Sequence, residues 1–218
     1  MKRRLAVLIS GGGSNLQALI DAARHPDYPA DIVQVICNIP GAYGLERARI
    51  AGIPATVIDH RGYGKDRAAF EAEVDAALRA ANVDLVALAG FMRVLTDGFV
   101  QAWDGRMLNI HPALLPSFKG LHTHARALDA GVAVHGCTVH WVSPGVDEGA
   151  IIGQAAVPVA PDDTADSLAA RVLTMEHRLY PACVALAASG RAVLRNGRTL
   201  IDGEPGPLSL FWSPHAAL

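Results

Sequence analysis

The sequence predicts an α/β fold, a twisted and mostly parallel sheet with helices packed on both faces. Three observations predict it. Residues 4–10 and 83–89 are apolar almost without a break, as in strands buried on both faces. Residues 14–24 and 66–81 instead carry apolar side chains at helical spacing. The two kinds of segment alternate through residue 110, which requires parallel strands joined by right-handed crossovers.

The elements follow in order. Residues 4–10 form a strand that runs into Gly11, Gly12 and Gly13, and a helix over 14–24 starts at Ser14 and Asn15. Residues 31–38 are a second strand, 43–51 a helix closed by Gly52, and 54–59 a third strand. The amphipathic helix over 66–81 presents Phe70, Val74, Ala77 and Leu78 on one face. Residues 83–89 form a fourth strand ended by Gly90, and 96–103 a short helix. The fifth strand, 106–110, is stopped by Pro112 and Pro116, whose peptide isomers the sequence leaves open. His122 and His124 begin a helix leading to Leu128. Residues 132–142 and 151–159 are successive strands with no helix between them, so an antiparallel pair makes the sheet mixed. A long helix starts at Asp163 and Thr164 with Leu168, Val172, Met175 and Leu179 on one stripe, and Pro181 should kink or interrupt it. Asn196-Gly197 turns a hairpin between 192–195 and 198–201. The last stretch, with Pro205, Pro207 and Pro214, is expected to be loose, and no repeat or linker divides the 218 residues.

Composition narrows the function classes. The formal charge is −2 and no Lys/Arg cluster marks a nucleic-acid or membrane surface. Lys2-Arg3-Arg4 followed by an apolar run imitates a signal peptide, but the run is too short and enters a glycine loop. Cys37, Cys137 and Cys183 are widely spaced in apolar contexts, which fits buried packing cysteines in a reducing cytoplasm.

Two motifs carry chemistry. A glycine loop between a strand and a helix gathers free backbone N–H groups into an anion site. Leu16 stands where the dinucleotide fingerprint needs a third glycine or alanine, and the loop has no P-loop lysine. Gly13, Ser14 and Asn15 can still hold a single phosphate through backbone and side-chain donors, or the loop is simply a tight turn. Asn109 and His111 share one face at the end of their strand, where open α/β sheets bind ligands. An amide and an imidazole there suit oxyanion stabilisation and proton movement; alone they read equally well as polar strand punctuation. Asp147, in a loop before the next strand, would raise the His111 pKa if the sheet brings the two together. His135 and His140 have opposite parity, so at most one shares the site, and ordinary polar packing is the default for both. His122-Thr123-His124 could supply two metal ligands, but neither HExxH nor a cysteine pair is present, so no metal is expected.

These pieces resemble the phosphoribosylglycinamide formyltransferase family. The resemblance is carried by VLISGGGSNLQALIDA (7–22), GLERARIAGI (44–53), LAGFMRVL (88–95), LNIHPALLPSFKGLHTHARAL (108–128), HGCTVHWV (135–142), VDEGAII (146–152) and RVLTMEHRLYP (171–181). It implies a Rossmann-like formyltransferase fold acting in purine synthesis with 10-formyltetrahydrofolate as cosubstrate and no metal. It implies a single domain over 1–218, with a phosphate-binding half to about 110, a folate and catalytic half over about 111–190, and a hairpin and tail over 191–218. Asn109, His111 and Asp147 match the family's catalytic positions. Gly13, Ser14 and Asn15 match its phosphate loop, and Glu176 an acid that contacts the ribose. Arg67, Met92, Arg93, Val94, Leu95 and Asn109 match the folate pocket. Small-molecule substrates, a cytoplasmic location, and a monomer or homodimer follow. Ala113, Lys119 and Leu173 depart from the family; Leu173 stands where some relatives carry a polar or basic phosphate partner. Two rivals on related scaffolds are disfavoured: a formyl-folate hydrolase should carry an N-terminal regulatory module, and a transferase acting on initiator tRNA an RNA-binding extension. A nonenzymatic folate- or nucleotide-binding protein predicts binding without turnover, and a metal hydrolase predicts sensitivity to chelators.

Overall fold

The computed structural model describes residues 1–211. Its main sheet has eight strands. The alternating half supplies β1 (Arg3–Ile9), α1 (Ser14–Ala23), β2 (Ala30–Cys37), α2 (Tyr43–Ile50), β3 (Ala55–Val57), α3 (Arg67–Ala80), β4 (Leu85–Leu88), α4 (Asp97–Ala102) and β5 (Met107–His111). These five strands are all parallel. After α5 (Thr123–Asp129), β6 (Val134–Trp141) runs antiparallel to β5 and β7 (Ile151–Pro158) antiparallel to β6. The expected mixed sheet is therefore present. The chain ends with α6 (Ala165–Ala188), the hairpin β8 (Ala192–Arg195) and β9 (Arg198–Ile201), β10 (Glu204–Pro205) and β11 (Leu208–Phe211).

Continuous apolar runs form the centre because both sheet faces are covered. Leu5, Val7 and Ile9 of β1 pack with Leu16, Leu19, Ala48 and the buried stripe of α6. Ala6 and Leu8 point the other way, against Phe70, Val74 and Leu78 of α3 and Phe99 of α4. The strand order β11-β7-β6-β5-β4-β1-β2-β3 reverses between β1 and β4, the place where crossovers to the two faces diverge and leave a crevice. Tyr180 of α6, fully buried, ties the helix to that point by donating to the Leu88 carbonyl at 2.9 Å.

Three expectations need correction. The third strand spans only three residues, all exposed, because it pairs on one side alone and Asp59 then caps a tight turn over His60–Tyr63. Pro181 does not interrupt α6, which runs unbroken for 24 residues. Leu179, Tyr180, Cys183 and Val184 are fully buried around it, and this packing outweighs one lost backbone bond. The tail is not loose as far as residue 211: β11 pairs in parallel with β7 and adds the eighth strand. Pro214 and its neighbours lie outside the described residues. Of the two prolines left open, Pro116 follows a cis bond.

The glycine loop and α2 approach each other closely. Gly13 adopts φ 70°, and a side chain there would meet the Gly44 backbone at 2.9 Å. At Gly44 itself a Cβ would strike the Ile9 tip and meet the Gly11 carbonyl at 3.0 Å. Gly44→Ala should therefore cost about 1–3 kcal/mol and lower the thermal midpoint by roughly 2–10 °C. An unchanged melt would contradict the packing described here.

Candidate functional site

Two clusters lie at the carboxyl ends of the central strands. The first is a cleft of about 450 Å³ bounded by the glycine loop, Ile39 after β2, Tyr43 and Arg47 of α2, and Ala89, Gly90 and Met92 after β4. Gly13 precedes α1 in a left-handed conformation, and no side chain caps the helix. No acidic residue occupies its first turn, so its leading N–H groups remain available to an anion. Asn15 lines the cleft, and its buried side chain donates one Nδ2 hydrogen to Glu176 at 2.6 Å. Glu176 is buried as well, and burial raises its pKa above the ordinary range, opposed by the Asn15 bond.

The second cluster is built by the antiparallel pairing of β5 with β6. That register sets Asn109 opposite His140 and His111 opposite Thr138, so all four side chains share a face. Asn109 Nδ2 lies 3.2 Å from His140 Nε2. His140 Nδ1 donates to the Trp141 carbonyl at 2.8 Å, so its Nε2 accepts from the amide. The second hydrogen on Asn109 Nδ2 remains for a ligand. Thr138 accepts from the Leu115 amide and donates to the Ala113 carbonyl, pinning the loop that follows His111.

Asp147 reaches this cluster from the loop after β6. Its carboxylate is 3.2 Å from His111 Nδ1 and 3.7 Å from His140 Nε2. The Gly120 amide also donates to it at 2.9 Å. Burial alone would raise the Asp147 pKa, but the facing His140 imidazole, the Gly120 amide bond and the His111 ring draw it below the ordinary range. Asp147 is therefore an anion at neutral pH.

His111 sits between two acceptors. Nδ1 faces Asp147 and Nε2 faces the Phe118 carbonyl at 3.0 Å, so only the charged ring can donate to both. Burial nevertheless outweighs both acceptors, and the pKa lies below the ordinary value. Asp147 does pull upward, as the sequence suggests, but it does not win in the free protein.

A third group flanks these two. Arg67, the first residue of α3, donates to the Val94 carbonyl at 3.4 Å, beside the loop of Met92, Arg93, Val94 and Leu95. Glu71 anchors that loop by accepting from the Thr96 amide and hydroxyl. Met92 and Val94 are exposed, whereas Leu95 turns inward against the α3 side of the core.

Among the described residues, no group of three or more His, Cys, Asp or Glu is arranged to hold a metal. No helix there is long and apolar enough to cross a membrane. The functional neighbour that sequence reasoning left as packing is His140. Its parity was visible, but only the β5–β6 register places it against Asn109.

Comparisons with known proteins bear on this arrangement. A model of the formyl transferase family matches residues 3–184. A phosphoribosylglycinamide formyltransferase of Haemophilus influenzae is 43% identical over 95% of this chain and 97% of its own length. A trifunctional purine biosynthetic protein of Bos taurus is 54% identical over 90% of the chain. The aligned part spans only 20% of that larger relative. A solved phosphoribosylglycinamide formyltransferase from Coxiella burnetii superposes with a TM-score of 0.91 at 40% identity, covering 96% of this chain and all of that one.

The buried histidines make acid stability testable. His135 is fully buried, 5.3 Å from the His124 ring and 5.7 Å from Phe118, and neither of its ring nitrogens has a partner. Burial, then the neighbouring His124, pushes its pKa down to about 4. An unfolded histidine titrates near 6.5, so between about pH 6.5 and pH 4 the unfolded chain binds the extra proton. Stability should fall across that window by about 3 kcal/mol from His135 alone. His111, His124 and His177 shift in the same direction. His135→Leu should flatten the loss in pH-dependent melts. A variant as acid-sensitive as the parent would remove His135 from this role.

Proposed function

Since the chain belongs to the formyl transferase family, we propose that it transfers the formyl group of 10-formyltetrahydrofolate to the amine of 5-phosphoribosylglycinamide, a step of purine (IMP) biosynthesis in the cytoplasm. The observation that carries this reading is the convergence of Asn109, His111 and Asp147 at the end of β5, beside a cleft whose loop suits one phosphate.

The steps follow from those groups. The substrate amine attacks the formyl carbon, and the carbonyl electron pair moves onto oxygen. The free Asn109 hydrogen and the His111 ring stabilise that oxyanion, and one such donor is worth roughly 3 kcal/mol. The new negative charge adds to that of Asp147, and together they favour the imidazolium that burial alone opposes. The attacking nitrogen then loses a proton, delivered through His111 or a water to the folate nitrogen. The bond from carbon to that nitrogen breaks, releasing tetrahydrofolate and the formylated amine.

Gly13, Ser14 and Asn15 hold the phosphate, and Glu176 contacts the ribose. Arg67 pairs with a carboxylate of the folate tail, while Met92, Arg93, Val94 and Leu95, with Asn109, line the pterin side. No metal has a part in this scheme. The chain acts as one domain over 1–218, as a monomer or homodimer.

Purified protein with both substrates should release tetrahydrofolate only when the amine is present. Equal release without amine would identify a hydrolase, and no release would sink the proposal. Asn109→Ala and His111→Ala should each lower kcat about 10²–10³-fold. With charged His111 as the working form, activity falls as pH rises through its pKa in the complex. Asp147→Asn removes an upward pull, so that limb should move to lower pH and turnover at neutral pH should drop roughly 10²-fold. Near-normal turnover across pH would exclude Asp147 from this part.

A further inference from the structure

The glycine-loop cleft offers a phosphate backbone N–H groups and partial helix charge, but a phosphate monoester carries nearly two full negative charges. Of the described residues lining the cleft, Arg47 alone is cationic. It stands on α2, one turn beyond Tyr43, and its guanidinium lies 5.0 Å from the centre of that ring. Arg47 Nε donates to the Gly12 carbonyl at 2.8 Å, and Nη1 donates to Gln17 Oε1 at 3.1 Å. Both acceptors are neutral. The adjacent Glu46 is engaged by Arg49 at 2.6 Å, and among the described residues no carboxylate makes an ion pair with Arg47.

This is a half-buried cation, oriented by its neighbours and lacking a counter-anion. Such a charge is stabilised when an anion arrives, and a guanidinium can present two parallel N–H groups to phosphate oxygens. The field of the uncompensated charge reaches His177 of α6, whose pKa is lowered first by burial and then by Arg47.

We propose that Arg47 is the charge partner of the substrate's phosphate monoester, binding it together with the N–H groups of the glycine loop. This rests on the reading above that the acceptor is a phosphorylated amine. The competing role is a clamp that only shapes the loop through Gly12.

Two variants and two substrates separate these roles. Arg47→Ala should raise KM for 5-phosphoribosylglycinamide about 100-fold, with kcat within a few-fold and KM for 10-formyltetrahydrofolate unchanged. Arg47→Lys should recover part of the loss by restoring the charge. The dephosphorylated amine should be an equally poor substrate for parent and variants. A clamp predicts the opposite pattern: kcat falls, and the dephosphorylated amine suffers as much as the phosphorylated one. That result would overturn the proposal.

A binding arm is independent of turnover. Inorganic phosphate should raise the melting temperature of the parent, and Arg47→Ala should largely lose that increment. Equal protection of both proteins, or no protection of the parent, would overturn the assignment. Protection lost in the variant, in a protein that does not formylate the phosphorylated amine, would retain Arg47 as the anion ligand and overturn the proposed activity instead.

Discussion

Asp147 is the constraint on which the second cluster depends. It occupies the left-handed region at φ 54°, a conformation that aspartate tolerates better than most side chains. From there its carboxylate, largely removed from water, meets two imidazoles and the Gly120 amide. It thereby joins three separate pieces of chain: the end of β5, the end of β6, and the loop that returns past Phe118. Removing its side chain would leave His111 with one acceptor and the Gly120 amide with none. A buried carboxylate kept ionised by hydrogen bonds is therefore the anchor that orients His111 for any proton it handles.

The sheet order explains why this cluster and the glycine loop are neighbours. β1 and β4 lie side by side at the reversal point, and β5 is next in line. The loops after these three strands emerge on the same edge. The glycine loop, the segment from Gly90 to Leu95 and the Asn109–His111 pair thus face one crevice. Ser10 links two of them, accepting from the Met92 amide at 2.8 Å while donating to Asn38 at 2.6 Å. A phosphate at one end and an electrophilic carbon at the other would be held by a single rigid edge, which favours orientation over flexibility.

Much of this was legible in the sequence because it is local. Apolar runs mark the strands buried on both faces, and strand parity alone puts Asn109 and His111 on one side. What was not legible depends on register between distant segments. His140 meets Asn109 only through the β5–β6 ladder, and Asn15 meets Glu176 across 161 residues. The β11 strand is four residues after two prolines and acquires its identity from the edge of β7. Pro181 looked like a helix breaker because local propensity says so, while the buried residues flanking it overrule that preference. The net titration of His111 was not legible for a related reason. The sequence names the charged partner, but not how thoroughly the ring is buried.

The balance at His111 between burial and its two acceptors is the claim most open to direct attack. Nuclear magnetic resonance of ¹⁵N-labelled histidine can follow the His111 ring through pH in the parent and in Asp147→Asn. The account predicts a midpoint below the ordinary histidine value in the parent, and a lower one still in the variant. A midpoint that does not move when the carboxylate is neutralised would contradict it.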